Sequence, residues 1–258
     1  MTNASPSKAQ PETVALFISD LHLQTSMPKT AQAFFDFMHV HAIHTKQLYL
    51  LGDIFEYWAG DDDIDSPLHQ QVIDSIRQVS DAGVSVFWMA GNRDFLVGEA
   101  FARLSGVQRL PEIFTTTIAG QNIVLTHGDA QCTDDESYMA FRSRVRQQTW
   151  QQQFLAMPLE ERKSIIADLR TESRHAQRNK SYAITNVNAQ AISGLFETSQ
   201  ADVMIHGHTH RPGIHPVEVH NRKCIRYVLP DWDCDGLPTR GGWIRINDCG
   251  VIVPEFLQ

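Results

Sequence analysis

VMIHGHTHRP, residues 203–212, sets three histidines on alternate positions directly behind a short apolar run. Val203, Met204 and Ile205 read as the end of a buried strand. Gly207 lets the chain turn sharply there, because a residue without Cβ reaches backbone angles closed to others. Side chains two apart in an extended segment point the same way, so His208 and His210 are expected to face one point. Neutral imidazole is the commonest biological metal ligand, which makes this pair a candidate metal site. For His206 two readings stay open, a third ligand or a hydrogen-bonded core histidine. The choice depends on what the rest of the chain brings to the same place.

The chain has 258 residues, enough for one large domain or a domain with an insertion. Its balance of 42% hydrophobic and 20% charged residues is that of a globular protein. A net charge of −8 argues against nucleic acid as a partner, since phosphate binding needs a basic surface. No stretch approaches the roughly 18 apolar residues of a membrane span. The start, MTNASPSKAQPET, is polar and lacks the apolar core of a secretory signal, so residues 1–13 are expected to be a disordered extension. Cys132, Cys224, Cys234 and Cys249 show no metal-site spacing, and reduced thiols in the cytoplasm are the simplest reading. A disulfide among the last three stays possible.

VALFIS (14–19), QLYLL (47–51), VSVFWMA (84–90), NIVLT (122–126) and ADVMIH (201–206) are short apolar runs bounded by glycine, aspartate or polar residues, as buried strands are. Helical patterns lie between the first three: Ala31–Ile43, opened near Pro28, and Leu68–Ala82, closed by Gly83. Strand alternating with helix predicts a mostly parallel sheet with helices on its faces. Ile113–Ile118 and Asn122–Thr126 flank Ala-Gly-Gln as a hairpin. Runs near 214–219, 224–228, 243–246 and 251–253 predict a second, more antiparallel sheet against the first. From Asp135 to about Ser199 the pattern is helical, with Pro158 where one helix gives way to the next. Residues 142–180 hold nine basic side chains against four acids, beside apolar residues such as Trp150, Phe154, Leu155 and Ile166. On pattern alone this is an amphipathic helical pair packed on the core. The competing reading is a lid for something anionic and greasy.

The polar residues fall at the strand ends. The first run leads into Asp20-Leu21-His22, the second into Gly52-Asp53 and the third into Gly91-Asn92-Arg93-Asp94. The fourth leads into His127-Gly128-Asp129 and the fifth into His208-Thr209-His210. Ligands of α/β proteins bind beyond the carboxyl ends of strands, where these residues stand. Asp20, His22, Asp53, Asn92, His127, His208 and His210 mix imidazole with carboxylate, which suits Mn²⁺, Fe²⁺ or Zn²⁺ better than Ca²⁺. Seven ligands are too many for one tetrahedral ion and fit two ions that share a carboxylate, with Asp53 the natural bridge. Such a pair clamps a phosphoryl group and deprotonates water at neutral pH.

These blocks, DxH, GD, GN, a strand-end histidine and GHxH in that order, resemble the calcineurin-like metallophosphoesterases. The resemblance implies an α/β fold (α+β by some schemes), a four-layer sandwich of two β-sheets flanked by helices. It implies one metal on Asp20, His22, Asp53 and His210, and another on Asp53, Asn92, His127 and His208. His206 has no counterpart. Protein phosphatases of that superfamily follow the asparagine with a histidine that protonates the leaving group. Here Arg93 stands there; it holds phosphate oxygens but donates no proton at neutral pH. That favours a leaving group such as phosphate.

The longer strings ISDLHL, LGDIFEYWAGDDD, GNRDFLVG, HGDAQCTDDESYMAFR and IHGHTHRP are similar to the UDP-2,3-diacylglucosamine pyrophosphatase family of bacterial lipid A biosynthesis, over Val14 to about Arg240. That resemblance implies Mn²⁺-dependent attack of water on the α-phosphorus of UDP-2,3-diacylglucosamine, releasing UMP and lipid 1-phosphate. It implies Asp53, Asn92, Arg93 and His127 as catalytic groups. Asn92, Arg93, Asp135, Ser173, Gln177, Lys180 and His208 would contact substrate. Residues 14–134 and 200–258 would form the core and 135–199 a helical cap over the acyl chains. A monomer, cytoplasmic and peripheral on the anionic inner-membrane surface, completes the expectation. Pro230 departs from the usual glycine, and Asp61-Asp62-Asp63 reads as a solvated loop near the site. A general phosphodiesterase, or a non-catalytic scaffold on the same fold, is the alternative. A scaffold would be expected to have lost ligands, and all seven positions are filled.

Overall fold

The structure, a computed structural model, describes residues 11–178 and 184–257, excepting the side chains of 173–178. Its strands are β1 (Thr13–Ile18), β2 (Gln47–Leu50), β3 (Ser85–Trp88), β4 (Gln108–Arg109), β5 (Ile113–Ile118), β6 (Gln121–Thr126), β7 (Val203–His206), β8 (Gly213–Val219), β9 (Arg222–Val228), β10 (Gly242–Asn247) and β11 (Ile252–Phe256). Its helices are α1 (Pro28–Val40), α2 (Pro67–Asp81), α3 (Glu99–Ser105), α4 (Glu136–Val145), α5 (Gln148–Leu155), α6 (Leu159–Arg178) and α7 (Ala189–Ser199). One sheet runs β11-β10-β1-β2-β3-β4 and the other β5-β6-β7-β9-β8.

Period-two alternation builds the layers. Leu16, Leu48, Leu50, Val86 and Trp88 point to one side, under Phe34, Phe37, Val72, Ile76 and Phe101 of α1, α2 and α3. Ala15, Phe17, Tyr49, Leu51 and Met89 point to the other, against Ile123, Leu125, Val203 and Ile205 of the second sheet. Val124 and Met204 of that sheet then lie under Ile192, Leu195 and Phe196 of α7. Each large side chain so buried contributes roughly 1.5–3 kcal/mol. The order is helices, sheet, sheet, helix, which is the expected four-layer sandwich.

Local signals place the helices. Ser66 caps α2 by accepting from His69 N–H, Pro67 opens it, and Gly83 follows its end at φ +94°. The cap of α1 comes from far away. Asp235 accepts from the Lys29 and Thr30 N–H groups at 3.1 and 2.9 Å, tying the late loop to the first helix.

Three expectations change. The late strands do not form one sheet: β8 and β9 join the second, whereas β10 and β11 continue the first, with β10 antiparallel to β1. Pairing partners are chosen across the whole chain, and local pattern does not carry them. Helix α7, inside the segment expected as a cap, is the sandwich's outer layer because its apolar face covers Val124 and Met204. Asp61–Asp63 is not a solvated loop. Asp61 accepts from Gly98, Ala100 and Phe101 N–H at the start of α3 and from Trp58 Nε1; Asp62 pairs with Arg162, and Asp63 with Lys163 at 2.7 Å.

Those last pairs also account for much of the basic segment. Arg142 and Arg146 meet Asp129 and Glu112, Arg162 and Lys163 meet the aspartate run, and Arg170 meets Glu56. On the apolar side Phe154 is buried, while Trp150, Met157, Ile165 and Ile166 pack against the core under α5 and α6. Basic and apolar side chains of the helical pair thus both contact the sandwich, while Gln152, Leu155, Glu161 and Asp168 face solvent. All four cysteines are free.

Candidate metal centre

The loops beyond β1, β2, β3, β6 and β7 are stitched to one another by backbone bonds. Asp20 N–H donates to Gly52 O at 3.1 Å, His22 N–H to Asp53 O at 3.0 Å, and Gly207 N–H to His127 O at 2.9 Å. Side chains close the ring: Asp53 Oδ1 accepts from Arg93 N–H at 2.7 Å, and both Asp20 oxygens accept from His208 N–H at 2.9–3.0 Å.

Gly207 serves close approach, not a turn. Its φ is not positive; a Cβ there would overlap the Asp20 carboxylate and Ser19. The turning is done by the candidate ligands themselves. Asp20, His22, Asp53, His208 and His210 all have φ between 50° and 65°, the left-handed region that side chains avoid. Such residues cost about 1–3 kcal/mol each and cluster at functional sites, held by surrounding structure. His208 and His210 are therefore not in an extended segment and do not face one point.

They enter two clusters instead. Asp20, His22 and His210 bring ligand atoms within 4.8 Å of one another, and so do Asp53, His127 and His208. Asn92 joins the second, its Oδ1 3.1 Å from His127 Nε2 and 2.8 Å from His208 Nδ1. Asp53 Oδ2 lies between the clusters, 3.9 Å from His22 Nε2 and 3.6 Å from His127 Nε2. All seven sequence-derived ligands are thus brought together.

The donor chemistry fits divalent cations. His22 Nδ1 faces Glu56 Oε2 at 2.9 Å and His210 Nδ1 faces Asp231 Oδ2 at 3.5 Å. Were both rings neutral with the proton on Nδ1, the form a metal ligand takes, the two Nε2 lone pairs would converge at 3.2 Å on one ion. His127 Nδ1 donates to Leu51 O at 2.8 Å and leaves its Nε2 for the centre.

Charge at the centre is uneven. Burial opposes ionisation of Asp20, but His210, His127 and His22 hold its carboxyl well below the usual range. For His127 burial disfavours the cation, yet Asp53, Asp20 and Asp129 raise it to about 9. Burial and the His127 charge push His208 down to about 4. Metals entering here would displace a proton from His127.

His206 goes elsewhere. Fully buried, its Nδ1 donates to Gly207 O at 2.9 Å and its Nε2 accepts from Arg226 at 2.9 Å, so both nitrogens are used. Asp135 caps α4 at Tyr138 N–H, 3.1 Å, and is buried. Arg93 is half-buried, and its guanidinium makes no hydrogen bond or ion pair among the described residues. The side chains of Ser173 and Gln177, and Lys180, lie outside the described residues.

Four acids were given no role by the sequence reading. Asp94 is fully buried and accepts from Gly91 N–H at 2.8 Å and Ile54 N–H at 2.9 Å, clamping the second and third loops. Asp129 accepts from Tyr138 Oη and Arg142 Nε at 2.7 and 2.8 Å; the Tyr138 ring stacks on His208, centroids 6.0 Å apart. Glu56 and Asp231 face the outer nitrogens of His22 and His210. Their signal was proximity: Asp94, Asp129 and Glu56 each stand two or three residues beyond a ligand.

The calcineurin-like phosphoesterase family model matches residues 14–212. The chain belongs to the calcineurin-like phosphoesterases. A UDP-2,3-diacylglucosamine hydrolase of Aromatoleum aromaticum is 46% identical over 221 residues, 86% of this chain and 90% of its own. One of Photorhabdus laumondii is 44% identical over 241 residues, 93% of this chain and 98% of its own. Among solved structures, an archaeal phosphodiesterase aligns over 94% of this chain and 99% of its own, with TM-score 0.45 and 12% identity. This phosphoesterase is a metal-dependent hydrolase, with its divalent-metal candidates at the two clusters. No helix among the described residues is long and apolar enough to cross a membrane.

Proposed function

We propose that this phosphoesterase hydrolyses the diphosphate of UDP-2,3-diacylglucosamine on two Mn²⁺ ions, giving UMP and 2,3-diacylglucosamine 1-phosphate. The observation that carries the reading is the pair of facing clusters with Asp53 Oδ2 between them, on a chain 46% identical to a hydrolase of that name. Asp20, His22, Asp53 and His210 would hold one ion; Asp53, Asn92, His127 and His208 the other. Bound there, the metals supply a deprotonated water and a clamp on phosphoryl oxygens.

The chain's own groups do the rest. Water attacks the α-phosphorus, the bond from that phosphorus to the bridging oxygen breaks, and its electron pair leaves on the lipid 1-phosphate. A phosphate leaving group needs little protonation, consistent with Arg93 where relatives of other specificity place an acid. Arg93 would hold phosphate oxygens through its planar fork. Asp135, Ser173, Gln177 and Lys180, on the helical segment, are proposed to hold the nucleotide and sugar. A substrate with two acyl chains resides in a bilayer, so the enzyme, taken as a monomer, would work at the cytoplasmic face of the inner membrane.

Incubation of the purified protein with UDP-2,3-diacylglucosamine and Mn²⁺ in ¹⁸O-water tests this. UMP should appear carrying the label, and chelator should stop it. Label in the lipid phosphate, or equal turnover of UDP-sugars without acyl chains, would overturn the reading.

A further inference from the structure

Helix α6 reaches the metal centre through one carboxylate. Arg170 on that helix donates from Nε to Glu56 Oε1 at 3.1 Å, and its terminal nitrogen contacts the same oxygen. The other oxygen, Oε2, lies 2.9 Å from His22 Nδ1, an ion-pair contact and not an aligned hydrogen bond. Glu56 thus divides its two oxygens between a helix cation and a candidate metal ligand. All three side chains are largely shielded, 15% exposed for Glu56 and His22 and 23% for Arg170. The Arg170 guanidinium is further held over the Tyr57 ring, 5.4 Å from its centroid. The backbone of Glu56 is fixed to the loop that carries His22: its N–H donates to Leu23 O at 3.2 Å, and Leu23 N–H donates to Ile54 O at 2.9 Å.

An imidazole is free to turn about its side-chain bonds unless its outer nitrogen is held. A carboxylate on that nitrogen fixes ring orientation and raises the basicity of the inner one. We propose that Glu56, itself oriented by Arg170, is a positioning residue that turns His22 Nε2 into the Asp20–His22–His210 cluster, so that helix α6 sets the affinity of that one metal site. The proposal rests on the two-metal reading above. It separates the two sites, because in the other cluster His127 is held by the Leu51 carbonyl and His208 lies against Tyr138 of α4, neither through Glu56 or Arg170.

Calorimetric titration of Mn²⁺ into metal-stripped full-length protein is the test. The parent should bind two ions. Glu56→Ala should weaken one site by roughly 10–100-fold and leave the other unchanged. Arg170→Met should weaken the same site by several-fold, and should have no further effect in a Glu56→Ala background. A general structural role would not single out one site or make the double variant equal the single. Should Glu56→Ala fail to fold, Glu56→Gln carries the same test, keeping the volume while losing the charge and one acceptor. A parent that binds fewer than two ions defeats the two-metal reading itself. A parent with two ions and a Glu56 variant with unchanged affinities defeats only this inference, as does an Arg170→Met effect that persists without Glu56.

Discussion

Asn92 Oδ1 is shared by His127 and His208, at 3.1 Å from Nε2 of the first and 2.8 Å from Nδ1 of the second. The asparagine follows β3 of one sheet and the histidines follow β6 and β7 of the other, so one amide oxygen joins the two halves of the sandwich at the centre. Asn92→Ala removes it and leaves two rings 5.2 Å apart with nothing between them. Metal affinity at the Asp53–His127–His208 cluster should fall at least about tenfold while the other cluster keeps its ion, and turnover should drop at least about a hundredfold, roughly 2.7 kcal/mol of barrier. Calorimetry and steady-state kinetics read both. Unchanged affinity at both clusters would remove Asn92 from the ligand set.

Arg93 separates backbone from side chain. Its N–H binds Asp53 Oδ1, a bond that any residue but proline preserves, whereas its guanidinium makes no hydrogen bond or ion pair among the described residues and acts on Glu56 only through its charge. Arg93→Ala should therefore keep bound metal and melting temperature and lose about a hundredfold in turnover, near 2.7 kcal/mol. Arg93→Lys should recover little, because a point charge does not reproduce a planar fork. Full activity in Arg93→Ala would end the phosphate role.

Arg162 is 2% exposed and donates to the Ala59 and Met157 carbonyls as well as pairing with Asp62. It pins the start of α6 to the loop after β2. Removing a buried cation from its partners costs about 3 kcal/mol, so Arg162→Met should speed amide exchange in α5 and α6 by about a hundredfold. Exchange in β1–β3 should stay slow. Equal acceleration in the strands would show that the helical segment is not a separate unit of stability.

His206 gives a pH signature. Burial, with Arg226 beside it, pulls the ring from 6.5 down to about 3. The unfolded chain takes up a proton that the folded protein refuses. The stability it contributes is therefore whole above pH 6.5 and is lost as pH falls toward 3. Between pH 6.5 and 5 the loss is about 2 kcal/mol. In His206→Gln this titration is absent, so the stability gap between parent and variant should narrow by that amount, read by urea unfolding of the metal-stripped proteins. A gap independent of pH would contradict the neutral core assignment.

Much of the centre was legible because its residues are local. Aspartate, asparagine and histidine directly behind apolar runs mark strand ends whatever sheet each strand joins, and the hairpin at Ala119–Gly120 is equally short-range. What was missed is long-range. Arg170 finds Glu56 across 114 residues and Arg162 finds Asp62 across 100, so nothing in the sequence marked which acids pair with the basic segment. The assignment of β10 and β11 to the first sheet is of the same kind. Gly207 misled for a different reason. Glycine there serves space beside Asp20, and the left-handed backbone falls on the histidines, where the strain is sustained by the packed loops.

The account stands on Asp53 lying between two metal ions. Crystals of the protein grown with Mn²⁺ and measured at the manganese absorption edge test it directly. Two anomalous peaks about 3.5–4 Å apart are expected, one against Asp20, His22 and His210, the other against Asn92, His127 and His208, with the Asp53 carboxylate touching both. A single peak, or a peak on His206, would contradict it.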